Sequence, residues 1–308
     1  MSSDCCIEIL LATYNSADFL AEQLESFLAQ SDQNFRVLIH DGGSGDNTLD
    51  IIAGFCRNYP EKFVFLGQHR AKAMENFVWL LEHASAEIIM FSDHDDVWLP
   101  EKIAVSRAKL NSMQSGVSPE LPLLVFTDSA VVDRDLKEVH PSMLKCQNLD
   151  PYCGVTLPRL LLQNVASGNT ICFNRALKKL MLPVPECAVM HDHWAMLTAA
   201  AFGKIGFVPQ ATILYRQHGK NVLGAQKYGL GSLLSKQAGA AERLRKCLLQ
   251  AAALYEKHRE NLPPEYAAML KEVSEFATLG FWRRRTLLCR YGIRKTGFMR
   301  NLALWFLI

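Results

Sequence analysis

Asp93-His94-Asp95-Asp96 places three carboxylates within four residues, and such a group repels itself unless a cation or solvent offsets the charge. A hard divalent ion bridging them to a diphosphate would supply that offset. A solvated acidic turn opening a helix accounts for the same residues, since Pro100 suits a first turn and the helix dipole favours acids there. The apolar run Ile88-Ile89-Met90-Phe91 weighs for the first reading, because it delivers the carboxylates from a buried strand to a binding edge.

Three further constellations carry chemistry. Asp41-Gly42-Gly43-Ser44-Gly45-Asp46-Asn47-Thr48 lets backbone approach a ligand, such as a base or ribose, and then starts a helix capped by Asp46 or Asn47; it also reads simply as a good turn. It is neither a Walker loop nor a GxGxxG fingerprint, because no Gly-Lys-Ser/Thr follows and the glycine spacing differs. His191-Asp192-His193-Trp194 opens a helix, where Asp192 can take a hydroxyl proton or serve as an N-cap between structural histidines. Adjacent residues on one helix do not converge on one ion, which argues against a zinc site there. Tyr215-Arg216-Gln217-His218-Gly219-Lys220-Asn221 suits phosphate oxygens, with His218 a candidate metal ligand; a basic surface loop has the same composition.

The elements that position these residues alternate. Ile7 to Ala12, Phe35 to His40, Phe63 to Leu66 and Glu87 to Phe91 read as strands, and Ala17 to Gln30, Thr48 to Tyr59 and Glu75 to Ala84 as helices. This βαβα order implies a parallel sheet covered by helices on both faces, with the polar loops gathered at the strands' carboxyl ends. Strands are also expected at Leu123 to Ser129, Gly168 to Phe173 and Ile205 to Val208, with a helical stretch at Arg159 to Gln163 and a helix from near His191. From about Gly224 the periodicity is helical, so the chain divides into an α/β part, 1–223, and a helical part, 224–308.

With 308 residues, 49% of them apolar, the chain is globular, and a net charge of +2 does not suggest a nucleic-acid binder. Nine cysteines without a CxxC pair point to free thiols in a reducing, cytoplasmic setting. No run approaches the roughly 18 to 20 apolar residues of a spanning helix, and no signal peptide is expected.

Together and in this order, Ala12-Thr13-Tyr14-Asn15, Asp41 to Thr48, Phe91 to Ile103 with its Asp93-x-Asp95, His191 to Trp194 and Tyr215 to Asn221 resemble glycosyltransferase family 2. The likeness covers roughly residues 5 to 225 and is strongest to the rhamnosyltransferase-like enzymes of bacterial O-antigen and capsule assembly. It implies a GT-A fold and inverting transfer from a dTDP- or UDP-sugar donor, rhamnose among the sugars, to a glycan or polyprenyl-linked glycan acceptor. It further implies that Thr13, Tyr14 and Asn15 line the nucleotide, Asp41 bonds the base and Asp93 meets the ribose. Asp95 would hold Mn²⁺ or Mg²⁺, Asp192 would be the general base, and Arg216 and His218 would close over the diphosphate, His218 completing the metal shell. The chain departs from the pattern at Gly42, where many relatives carry a second aspartate, and at His193, where an aromatic residue is common.

Two other classes share parts of this pattern. A sugar-1-phosphate nucleotidyltransferase would need a Gly-rich, basic N-terminal loop where Thr13-Tyr14-Asn15 stands, and a non-catalytic sugar-nucleotide-binding subunit would not need Asp192. The C-terminal mixture of Arg283-Arg284-Arg285, Arg290, Arg294, Lys295 and Arg300 with aromatic residues suits either an anionic membrane surface, at the inner face of the plasma membrane, or a packed helix pair with a solvated basic face.

Overall fold

The computed structural model describes residues 7–218 and 239–308. Strands Ile7–Thr13 (β1), Phe35–Asp41 (β2), Phe63–Gln68 (β3) and Ile88–Ser92 (β4) pair in parallel in the order β3-β2-β1-β4. Helices Leu20–Leu28 (α1), Thr48–Asn58 (α2) and Ala73–His83 (α3) connect them. Every residue of β1 is buried, as a central parallel strand requires, and its side chains alternate between two cores. Ile7, Ile9 and Leu11 pack with Leu20, Leu24 and Phe27 of α1, whereas Leu10 and Ala12 pack with Phe77 and Leu80 of α3. Helices therefore cover both faces, and each buried leucine or phenylalanine contributes about 2 kcal/mol. Glu8, facing the amino edge, is buried against Arg36 and the backbone N–H groups of Ser85 and Ala86.

Beyond β4 come Val97–Trp98 (β5), Lys102–Gln114 (α4), Leu123–Val132 (β6), Glu138–His140 (β7), Met143–Cys146 (α5), Leu157–Leu160 (α6), Ile171–Asn174 (β8), Arg175–Met181 (α7), His191–Phe202 (α8) and Lys204–Arg216 (β9). The sheet continues β4-β8-β6-β9-β5, with β7 on β6. The parallel arrangement read from the sequence holds for β1 to β4, but this second half is mixed: β8 runs antiparallel to both β4 and β6, β5 runs antiparallel to β9, and β9 is parallel to β6. The reason is where β8 begins. Asn169, just before it, bonds Asp96, just after β4, so the chain enters at the carboxyl edge and must run back.

Two boundaries also differ from the sequence reading. Gly168–Thr170 is a 3₁₀ turn, and the strand starts only at Ile171. β9 is far longer than Ile205 to Val208, because the register shift where Val208 and Ala211 pair with Thr127 and Asp128 absorbs Pro209 in a bulge.

The C-terminal helices Ala240–His258 (α9), Pro264–Ser274 (α10), Phe281–Tyr291 (α11) and Phe298–Leu307 (α12) join the apolar cluster of α8, where Ala251, Leu254 and Leu270 meet the core of Trp194 and Leu197. The expected boundary at 223/224 lies outside the described residues, as do Gly219, Lys220 and Asn221. Among the described residues no helix is long and apolar enough to cross a membrane, and seven cysteines are free thiols.

Candidate active site

The ends of β1 and β2 are knitted into one rim. Thr13 stands opposite Asp41 in the parallel register, and its Oγ1 donates to Asp41 Oδ2 at 2.8 Å. Ser44 Oγ donates to the same oxygen at 2.6 Å, while the N–H groups of Gly43 and Ser44 and Gln68 Nε2 donate to Oδ1 at 3.0, 2.7 and 3.1 Å. Burial opposes the Asp41 charge, but these bonds outweigh it and hold the carboxyl below its ordinary value. Both oxygens are thus occupied by the loop that Asp41 braces. Gly43 turns the chain at φ +93°, a conformation that suits glycine. Asn15, at φ +46°, donates its N–H to Ser44 Oγ at 2.8 Å and accepts from the Gly45 N–H at 2.9 Å. Tyr14 between them is 56% exposed. Of the two candidate caps, Asp46 supplies the bond to the Thr48 N–H at 3.1 Å.

β4 delivers the acidic loop beside this rim, and His94 Nδ1 ties it to the Ala12 carbonyl at 3.3 Å. The three acids differ sharply. Asp96 is fully buried, accepting from the Arg216 N–H at 3.1 Å and from Asn169 Nδ2; burial, then the charge of Asp95, pushes its carboxyl up to about 7. Asp95 Oδ2 lies 2.8 Å from His218 Nε2, whose ring packs 4.7 Å from that of Phe19. Asp93 is driven well above the usual carboxylate range by burial, then by Asp96, Asp95 and Asp192.

Arg216 sits beneath this loop, 3% exposed. Its Nε donates to the Asp95 carbonyl at 3.0 Å, Nη1 to the Arg134 carbonyl at 2.5 Å and Nη2 to the Glu22 carboxylate, with the guanidinium 4.8 Å from the Phe19 ring. The family resemblance assigns Arg216 to the diphosphate, whereas every guanidinium nitrogen here bonds the protein itself.

Asp192 lies on the first turn of α8. Burial pushes its carboxyl up to about 6, held from rising further by the N–H groups of His193, at 2.6 Å, and Gly168. The charge of Asp192 is felt by Asp93, so the candidate base and the acidic loop share one site. Its histidine neighbours are struts. His193 Nε2 donates to the Leu160 carbonyl at 2.6 Å and its Nδ1 accepts from Gln250 Nε2 at 3.1 Å, tying α8 to α6 and α9. His191 stacks 3.8 Å from the Phe77 ring, has no hydrogen-bond partner at either nitrogen, and is held neutral by burial, at about 3. A Cβ on Gly168 would stand 2.7 Å from His191 Nε2, so only glycine fits there.

Burial and the neighbouring carboxylates raise the proton affinity of Asp93, and burial and Asp95 raise that of Asp96, a strain that a cation would relieve. Among the described residues no group of three or more His, Cys, Asp or Glu side chains forms a complete metal cage. Asp95 and His218 together fit a hard divalent ion that keeps the rest of its shell for phosphate oxygens and water.

Sequence reasoning brought Thr13, Asn15, Asp41, Asp93, Asp95, Asp192 and His218 to one edge but overlooked what supports them. Asn169, Gly168, Glu22 and Phe19 hold Asp96, Asp192, Arg216 and His218 respectively. The polar break Ser167-Gly168-Asn169-Thr170 between apolar runs was the available signal; nothing in the sequence marks Glu22 or Phe19.

A sheet of this order, with helices on both faces and its acidic loop at the carboxyl edge, is the GT-A form of the α/β fold. The model of glycosyl transferase family 2 matches residues 8–118, and the chain is a glycosyltransferase of that type. It is 25% identical over 226 residues to an uncharacterized glycosyltransferase of Nostoc sp., a match spanning 70% of this chain and 66% of that one. It is 27% identical over 228 residues to a dTDP-rhamnosyl transferase of Shigella flexneri, spanning 70% of this chain and 74% of the relative. Its fold resembles that of a mannosyltransferase from Pyrobaculum calidifontis, solved in complex with GDP-Man and Mn²⁺, with a TM-score of 0.51 and 17% identity over 93% of this chain and 84% of that one.

Proposed function

We propose that this enzyme moves a sugar, with inversion, from a nucleoside-diphosphate donor to a hydroxyl of a glycan or polyprenyl-linked glycan acceptor at the inner face of the plasma membrane. The observation that carries the reading is Asp192, a carboxylate poised at about 6 within electrostatic reach of Asp93. Asp192 takes the proton of the acceptor hydroxyl as that oxygen bonds to the anomeric carbon, and the bond from that carbon to the diphosphate breaks with its electron pair leaving on phosphate. One such displacement inverts the sugar and needs no protein nucleophile.

Thr13, Tyr14 and Asn15 receive the nucleotide on the rim that Asp41 braces, and Asp93 meets the ribose. Arg216 acts from beneath, holding the Asp95 carbonyl and the Asp96 carboxylate rather than touching phosphate. Asp95 and His218 would hold Mn²⁺ or Mg²⁺, which when bound supplies positive charge to the departing diphosphate. Likeness to the Shigella flexneri enzyme supports a dTDP-sugar, rhamnose first, ahead of a UDP-sugar.

Calorimetric titration with dTDP and UDP, each with Mn²⁺ and with EDTA, tests the donor side. Metal-dependent binding of one nucleotide is expected. Binding of neither, or binding indifferent to EDTA, would contradict the reading. The rival reading of a non-catalytic donor-binding subunit expects the same binding with no transfer, and Asp192 at about 6 beside the acidic loop disfavours it.

A further inference from the structure

Residues 276–308 carry cations only, six arginines and Lys295, without one aspartate or glutamate. Within this segment α12 turns an apolar stripe to solvent. Phe298, Leu302, Trp305 and Phe306 follow the i, i+4, i+7, i+8 spacing of one helix face, and all four are exposed, Phe298 by 78% and Phe306 by 80%. Leu304 and Ile308 hold the helix to the core from its other side. Phe281 and Trp282 of α11, Trp282 73% exposed, extend the same patch.

Arg285 joins the two helices. Buried, it lies 3.4 Å from the Phe281 ring and 5.1 Å from that of Trp305, and it donates to the carbonyls of Trp305 and Ile308 at 2.5 and 2.6 Å. It thereby caps the C-terminal end of α12, where a cation meets the helix dipole, and fixes the stripe facing outward. Glu272 and Glu275 line a groove with Arg283 and Arg290 on the flank of α11 opposite Phe281 and Arg285.

We propose that this patch docks the enzyme on an anionic lipid bilayer. Exposed aromatic rings settle at headgroup depth, and Arg294 and Lys295, beside the N-terminal end of the stripe, meet the anionic headgroups. Charge selects the occupant: a second copy would set the same acid-free, cationic segment against itself, whereas a bilayer bearing acidic lipids complements it. The proposal gives the membrane part of the proposed function a surface, and it stands apart from the transfer chemistry.

Flotation of the full chain with vesicles rich in phosphatidylglycerol, and with vesicles of phosphatidylcholine alone, tests it at low and high salt. Binding to the acidic vesicles, weakened by salt, is expected. Trp282→Ala with Phe306→Ala should lower the partition coefficient roughly tenfold or more. Arg294→Glu with Lys295→Glu should weaken binding to acidic vesicles alone. Trp282, Arg294 and Phe306 are exposed and Lys295 is half-buried, and unchanged circular dichroism and unchanged nucleotide binding should accompany the loss. Failure of the intact protein to float at low salt would overturn the proposal, as would wild-type binding by the aromatic variant. Self-association that the aromatic variant abolishes, without lipid binding, would reassign the patch to a second copy.

Discussion

His218 Nε2 and Asp95 Oδ2 lie 2.8 Å apart across a sequence separation of 123, joining the end of β9 to the loop after β4. Arg216 braces the same loop, donating its N–H to the Asp96 carboxylate and its Nε to the Asp95 carbonyl.

Replacing His218 by Ala, or Asp95 by Asn, should weaken Mn²⁺-dependent nucleotide binding about 10- to 100-fold while leaving the melting temperature nearly unchanged. Calorimetry with Mn²⁺ and with EDTA checks this, and equal affinities in the two conditions for the wild-type chain would remove the ion from these residues.

Arg216 should behave as a brace. Arg216→Ala leaves the Asp95 and Arg134 carbonyls without their buried donor and is expected to cost about 3 kcal/mol in urea unfolding. Arg216→Lys should recover little of it, because a single ammonium does not span the same three acceptors. A fully stable Arg216→Ala chain with only nucleotide affinity reduced would return Arg216 to the diphosphate.

How legible this was from sequence differs by element. β1 to β4 were readable because parallel central strands are continuous apolar runs, and three of the loops that follow them carry the polar residues of the site. The direction of β8 was not readable, because four buried residues preceded by a polar turn do not show it; the Asn169 to Asp96 bond sets it. Pro209 ended the reading of β9 early, though a bulge accommodates it. Within the site, Asp93, Asp95 and Asp192 stood out by spacing, whereas the burial that separates Asp96 from Asp95 and commits Arg216 to the protein exists only in the fold.

The clearance between Gly168 and His191 gives a test of positioning. Gly168→Ala forces a Cβ to within 2.7 Å of a ring stacked on Phe77, which has little room to retreat. A loss of about 2 kcal/mol in stability is expected, with kcat falling more than nucleotide affinity because Gly168 also holds Asp192. An unchanged kcat would separate the turn from the base.

The raised Asp192 carboxyl sets the pH dependence. Transfer should fall about tenfold per pH unit below about 6 and level off above it, since only the ionised form accepts a proton. Stability moves the other way. A carboxyl raised in the fold favours its protonated form, so its cost to folding is absent below the ordinary 3.8 and complete above about 6. Asp192→Asn should therefore raise the melting temperature in alkaline buffer and not in strongly acidic buffer.

The most direct test compares Asp192→Asn with the wild-type chain in two assays, single-turnover transfer to acceptor and Mn²⁺-dependent nucleotide binding. Transfer should fall by about 10² to 10⁴ with nucleotide affinity preserved. Transfer at the wild-type rate, or equal loss of nucleotide affinity, would contradict Asp192 as the base.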